Sequence, residues 1–137
     1  MIATDVQQLS ERFNRCFETL EADHGLFADD TFFDLLPPMW RFQMRGDGDA
    51  FASQLKTISN GRSSWVRVVR TIATETGFVT EHEEHLGTDD EEEIARRIWV
   101  CEVLDGRIVD VTGYCNGGWD AELRARHAAE APMLDAR

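Results

Sequence analysis

The hydrophobic period of this chain changes once, close to Gly61. Before that point, apolar residues in segment 5–21 recur with the spacing of an α-helix. After it, apolar and polar residues alternate as they do in β-strands, with predicted strands at 64–74, 78–86, 94–104 and 107–115. Helices followed by a run of antiparallel strands predict an α+β fold, in which the helices pack on one face of a sheet.

Turn residues divide the chain into its elements. Asp105-Gly106 is the strongest hairpin signal, because both residues adopt the positive φ angles of a two-residue turn. Pro37-Pro38 ends a short predicted strand at 31–36, since proline lacks the N–H that a sheet requires. Three shorter elements complete the prediction: an extended segment at 39–45, a helix at 50–58 and a helix after Asp120.

Length and charge restrict the class of protein. A chain of 137 residues predicts one domain, 1–137, with its core at about 5–116 and a C-terminal helix and tail at 117–137. The net charge of −12 argues against nucleic-acid binding, and no apolar run approaches the ~20 residues of a membrane span. The three cysteines lack C-x-x-C spacing, which argues against a disulfide framework or a zinc site and favours a cytoplasmic location.

Ionisable residues interrupt the predicted strand 78–86. In a strand, His82 and Glu84 share one face, while Glu81, Glu83 and His85 share the other. Two side chains at i and i+2 lie roughly 6–7 Å apart, so the first pair can place an acid and a base beside one bound molecule. Two structural alternatives stay open: an ion pair of Glu84 with Arg96 beside a hydrogen-bonded His82, and a solvated or subunit-contacting face for the other three.

Two motifs resemble a known superfamily. Segment 26–30 (Leu-Phe-Ala-Asp-Asp) is similar to the helix-to-strand entry of ketosteroid isomerases, and 105–116 resembles the final hairpin of SnoaL-like polyketide cyclases. The resemblance to the nuclear transport factor 2 (NTF2)-like superfamily covers residues 5–116. It implies a cone-shaped, curved, mostly antiparallel sheet wrapped by N-terminal helices, and a homodimer.

The resemblance also implies which face lines a pocket. Pairing through the Asp105-Gly106 turn sets Val100 opposite Val111, and extending the register across the acidic loop sets Glu84 opposite Arg96. The predicted pocket face then contains His82, Glu84, Arg96, Ile98, Val100, Glu102, Val109, Val111, Gly113 and Cys115. The expected convex face contains Glu81, Glu83, His85, Arg97, Trp99, Cys101, Val103, Ile108, Thr112 and Tyr114. The first helix closes the pocket with Phe13 and Phe17, and Trp40 lies near its mouth. Gly113 replaces an aspartate that is usual in the family and leaves room for a ligand.

These expectations predict a cofactor-independent isomerase, dehydratase or cyclase. Its substrate is a hydrophobic, polyketide-like or terpenoid-like small molecule, with His82 as acid or base and Glu84 orienting it or taking its place. A pocket that catalyses cyclisation by shape alone is a narrower form of this hypothesis. No metal or cofactor is expected. The alternative is a non-catalytic module of the same fold that binds a small molecule or a protein.

Overall fold

A curved six-stranded sheet with strand order β2-β1-β6-β5-β4-β3 forms the centre of the computed structural model, which describes residues 3–88 and 91–135. The helices are α1 (Ala3–Thr19), α2 (Gly48–Ser59) and α3 (Ala121–Glu130). The strands are β1 (Phe27–Leu36), β2 (Phe42–Gly46), β3 (Ser64–Ala73), β4 (Gly77–Leu86), β5 (Glu93–Leu104) and β6 (Arg107–Cys115). Strands β1 and β6 are parallel and the other neighbours are antiparallel. The predicted α+β class is confirmed.

Local sequence signals explain several element ends. Asp105 and Gly106 have φ angles of 52° and 77°, as the predicted two-residue hairpin requires. The Asp47 side chain accepts a hydrogen bond from the Ala50 amide and caps α2, and Asp120 caps α3 in the same way. No helix in the described part of the chain has the length and hydropathy needed to cross a membrane.

An aromatic cluster joins α1 and α2 to the concave face of the sheet. Phe13 and Phe17 of α1 are fully buried, and the Phe13 ring stacks on Phe51 of α2 at a centroid distance of 5.8 Å. Trp99 of β5 lies 5.2 Å from Phe17, and Phe33 of β1 lies 5.0 Å from Phe51. Helix α1 therefore buries its apolar stripe against the sheet, and the cluster fixes the inner end of the site described below.

The register of β5 differs by one residue from the predicted register. At the hairpin, Leu104 pairs with Arg107 as expected, but β6 carries one extra residue, Val109, between the pairs Val103–Ile108 and Glu102–Asp110. Beyond this β-bulge, Val111 pairs with Cys101 rather than with Val100.

The pairing of β4 with β5 is also corrected. Glu84 lies opposite Ala95, and Arg96 lies opposite Glu83. A shift of one residue moves every side chain of a strand to the other face. Arg96, Ile98 and Val100 therefore lie on the convex face, and their predicted place in the pocket is wrong. Three residues that were expected on the convex face lie on the concave one: Arg97, Trp99 and Cys101.

Candidate functional site

A cavity of about 250 Å³ lies between the concave face of the sheet, the end of α1 and helix α2. Its volume is close to the lower end of the range of about 300–1,000 Å³ that small-molecule pockets occupy. Apolar side chains make most of its wall: Phe17, Leu20, Leu35, Leu36, Pro37, Pro38, Phe42, Leu55, Ile58, Leu86, Ala95 and Trp99. The polar side chains in the wall are Ser59, Arg62, Glu84, Glu93, Arg97 and Tyr114, together with Cys115.

The cavity follows β5 along its length. Glu93, Ala95, Arg97 and Trp99 alternate along this strand and all contribute to the wall. Trp99 is buried at the inner end, whereas 38% of the Glu93 side chain is exposed at the outer end. The cavity therefore runs from a closed aromatic base to an open, polar mouth.

Glu84 and Arg97 form a buried ion pair in this wall. The Arg97 Nη1 group donates to Glu84 Oε1, and only 10% and 4% of the Arg97 and Glu84 side chains are exposed. The Ser64 hydroxyl lies 3.3 Å from Glu84 Oε2 and 2.7 Å from the Phe17 carbonyl oxygen. A buried charge is tolerated when a partner of opposite charge compensates it, so each side chain keeps the other in place.

The pair offers two chemical functions to a ligand in the cavity. A guanidinium group has five N–H donors, and within the described residues Arg97 donates only to Glu84. Its other N–H groups can donate to a ligand oxygen. The Glu84 carboxylate has further lone pairs that can accept a proton from a ligand.

His82 shares the concave face with Glu84 but lies outside the cavity wall. Its imidazole is fully buried, with Nδ1 2.7 Å from Asn14 Oδ1. The Trp99 Nε1–H group donates to His82 Nε2 at 3.3 Å, so Nδ1 carries the proton and donates to Asn14. Burial, with a smaller effect of the nearby Arg97 charge, lowers the pKa of His82 to about 3. The imidazole is neutral at pH 7 and connects α1 to Trp99; the expectation that it lines the pocket is wrong.

Trp99 fills the space above Gly113. The two residues are direct neighbours across β5 and β6, and a Cβ atom at position 113 would overlap the six-membered ring of Trp99. The space next to Gly113 is thus occupied by the indole, although Gly113 still borders the cavity. This corrects the expectation that Gly113 makes room for a ligand.

The other predicted site residues separate into three groups. Phe17 and Cys115 line the cavity together with Glu84. Phe13 and Val111 are fully buried in the core and do not reach it. Trp40 is 73% exposed in the β1–β2 connection and is absent from the cavity wall, although Pro37 and Pro38 beside it contribute.

The convex face carries a network of ion pairs. Glu81 binds Arg70 at 2.9 Å, Glu83 lies 3.3 Å from Arg67, and His85 Nε2 lies 2.8 Å from Glu83 Oε1. Arg96 lies 3.5 Å from Glu81. In residues 3–88 and 91–135, no three His, Cys, Asp or Glu side chains are arranged to hold a metal ion.

Arg97, Arg62 and Glu93 are the charged cavity residues that the sequence prediction missed. Arg97 and Glu93 alternate with Ala95 and Trp99 on β5 and therefore point to the same face. The correct register would have placed both of them in the cavity wall. Arg62 follows α2 in a turn, and its Nε donates to the Ser59 carbonyl at 2.8 Å. A turn residue gives no periodic signal, so only its contacts identify it.

Comparison with known proteins identifies the fold. No family model matches the chain, and no curated protein matches it. Among solved structures, it is similar to an LEH-like epoxide hydrolase from M. tuberculosis, with a TM-score of 0.65, 22% identity and coverage of 95% of this chain and 98% of the other. A candidate polyketide cyclase from Xanthomonas campestris pv. campestris gives a TM-score of 0.61 and 21% identity, with coverage of 81% and 90%. An NTF2-like protein of unknown function from Mesorhizobium loti gives a TM-score of 0.62 and 18% identity, with coverage of 84% of this chain and 93% of the other. The predicted resemblance is confirmed for the fold, and the chain has the NTF2-like fold.

Proposed function

We propose that this chain is a cofactor-independent enzyme that transfers a proton on a small, neutral, hydrophobic molecule that carries an oxygen function. The observation that carries the proposal is the buried Glu84–Arg97 pair in the wall of a mainly apolar cavity. Isomerisation, dehydration and ring closure all begin with such a transfer. Polyketide-like and terpenoid-like ketones are the substrate class that this wall suits best.

In the proposed mechanism Glu84 is the base. Its carboxylate takes a proton from the carbon next to a substrate carbonyl, and the electrons of the broken C–H bond move onto the carbonyl oxygen to form an enolate. Arg97 donates hydrogen bonds to this oxygen as its negative charge develops, which is effective in a cavity with little water. Return of the proton from Glu84 to a different carbon completes an isomerisation. His82 has a positioning role through Trp99.

The charges of the wall favour a neutral ligand. Arg97 is paired with Glu84, and Arg62 lies 3.4 Å from Glu93, so neither guanidinium is an uncompensated site for an anion. The net charge of −12 further disfavours an acidic ligand. The similar M. tuberculosis structure is an LEH-like epoxide hydrolase, and the Xanthomonas structure is a candidate polyketide cyclase, so this fold accommodates chemistry on small organic molecules.

A hydrogen-exchange assay with a simple ketone tests the proposal. The protein is incubated in D₂O with 3-methylcyclohex-2-enone, a neutral unsaturated ketone, and deuterium at the carbons beside the carbonyl is followed by NMR. Glu84→Gln keeps an acceptor for Arg97 but removes the base, so we expect the exchange rate to fall by about 10²- to 10⁴-fold. Glu81→Gln, on the convex face, is the matched control and should exchange at the wild-type rate. Equal rates for wild type and Glu84→Gln would contradict the proposed role.

Non-catalytic binding is the second candidate, and one observation favours it. Gly113 stands where similar proteins were expected to carry an aspartate, and Trp99 covers it, so among the described residues Glu84 is the one buried carboxylate in the cavity wall. A binding module would take up the ketone stoichiometrically. It would show no protein-dependent exchange in either the wild type or Glu84→Gln.

A further inference from the structure

A second polar pair lies at the mouth of the cavity. Arg62 Nη1 is 3.4 Å from Glu93 Oε1, and 30% and 38% of the two side chains are exposed. The Arg62 Nε–H group is anchored to the Ser59 carbonyl, which fixes the plane of the guanidinium. Glu93 packs against Gly118, where a Cβ atom would overlap its carboxylate. The pair is therefore held from both sides, and it belongs to the cavity wall.

The mouth pair retains hydrogen-bonding capacity. Within the described ranges, the terminal N–H groups of Arg62 and the carboxylate oxygens of Glu93 interact with each other as an ion pair and make no hydrogen bond. The inner pair differs, because Glu84 and Arg97 are joined by a hydrogen bond and are almost fully buried. The outer pair thus presents a donor and an acceptor side by side, in partial contact with solvent.

The two pairs are separated along one strand. Glu93 and Arg97 are four residues apart on β5 and point to the same face, which sets their Cα atoms roughly 14 Å apart at ~3.4 Å per residue. On this face of β5 Ala95 lies between Glu93 and Arg97, and Leu86 is the β4 neighbour of Glu93, so the wall beside the mouth pair is apolar. A ligand that satisfies both ends therefore has two polar groups joined by an apolar body.

We propose that Arg62 and Glu93 form a second ligand subsite that selects neutral molecules with a hydroxyl group at the end remote from the reacting carbonyl. The inference rests on the proposed function, because it places the reacting end at Glu84 and Arg97. A hydroxyl group accepts from Arg62 and donates to Glu93 at the same time. A carboxylate would be attracted by the Arg62 guanidinium but repelled by the Glu93 carboxylate and by the acidic surface of the protein. The subsite therefore rejects it. The substrate class is then a hydroxy-ketone whose two oxygens lie on the order of 10 Å apart.

Three eight-carbon probes test the subsite by isothermal titration calorimetry: 1,8-octanediol, 1-octanol and octanoate. The wild type should bind the diol about five- to tenfold more tightly than 1-octanol, the net effect of one hydrogen bond at a partly exposed site, and octanoate most weakly. Arg62→Met and Glu93→Met should each reduce the diol-to-octanol ratio to about one while leaving the affinity for 1-octanol within about twofold. Arg126→Met is the matched control, because Arg126 forms an exposed pair with Glu130 on α3, and it should keep the wild-type ratio.

The outcomes separate this inference from the proposed function. Equal affinities for the diol and 1-octanol, or tightest binding of octanoate, would overturn the subsite and leave the role of Glu84 standing. No binding of any probe at millimolar concentration would overturn the subsite and the apolar ligand class together. Glu84→Gln should lose hydrogen exchange and keep the diol preference. Thermal unfolding checks that each variant is folded. If Arg62→Met does not fold, the binding ratio of Glu93→Met decides the test.

Discussion

Trp99 and Gly113 face each other across β5 and β6, and the indole ring lies where a side chain at position 113 would begin. The ring also borders the cavity and donates to His82 on its other side. This one contact explains why position 113 is glycine and why the predicted free space there is absent.

The Trp99–Gly113 contact predicts a coupled pair of mutations. Gly113→Ala should lower the free energy of unfolding by about 1–3 kcal/mol, since the methyl group overlaps a ring in a packed core. In a Trp99→Leu background the same change should lower the free energy of unfolding clearly less, because the ring that the methyl group overlaps is absent. Urea unfolding of the four proteins measures the coupling. Equal costs in both backgrounds would show that the contact does not restrict position 113.

The Glu84–Arg97 pair predicts an asymmetric effect on stability. Arg97→Met leaves a buried carboxylate without its partner and should lower the free energy of unfolding by about 3–5 kcal/mol. Arg70→Met removes a half-exposed partner of Glu81 on the convex face and should cost about 1 kcal/mol or less. Replacing both members, Glu84→Leu with Arg97→Met, should recover much of the loss. Similar costs for Arg97→Met and Arg70→Met would contradict the buried character of the first pair.

His82 predicts a loss of stability in mild acid. Its pKa is 6.5 in the unfolded reference and about 3 in the folded protein, so between these values the unfolded chain binds a proton that the folded protein does not. The free energy of unfolding should therefore fall as pH decreases from about 6.5 towards 3, by up to about 1.4 kcal/mol per pH unit from this group.

His82→Gln tests this dependence. Glutamine can still donate to Asn14 and accept from Trp99, but it does not titrate. Unfolding free energies between pH 4.5 and 6.5 should fall less steeply with decreasing pH in the variant than in the wild type. His24→Gln, at an exposed position, should keep the wild-type slope. An unchanged slope in His82→Gln would mean that the imidazole is accessible to protons in the folded protein.

Sequence patterns predicted the elements and their order well, because local chemistry determines them. The Asp105-Gly106 turn, the helix that follows Asp120 and the final strand all lie as expected. The strand that was expected to begin at Thr31 begins at Phe27, which pairs with Ile108 of β6. That pairing is a long-range contact, so the polar residues between Phe27 and Thr31 give no sign of it.

The site was harder to predict, because it depends on the pairing register of β5 with its neighbours and on how far each side chain lies below the protein surface. Val109 continues the alternation of β6 and gives no signal of a bulge, yet this one residue moves Arg97 and Trp99 to the concave face. Alternation correctly placed His82 and Glu84 on one face. It could not distinguish Glu84, which borders the cavity, from His82, which lies beneath Trp99, because a strand pattern reports direction and not distance from the surface.

A crystal structure of the protein with 3-methylcyclohex-2-enone bound would show directly whether Glu84 and Arg97 are the reactive pair. We expect the carbonyl oxygen to lie within hydrogen-bonding distance of the Arg97 guanidinium, with a carbon beside it facing the Glu84 carboxylate. A ketone that occupies the cavity without contacting either side chain, or that binds only at the surface, would contradict this assignment.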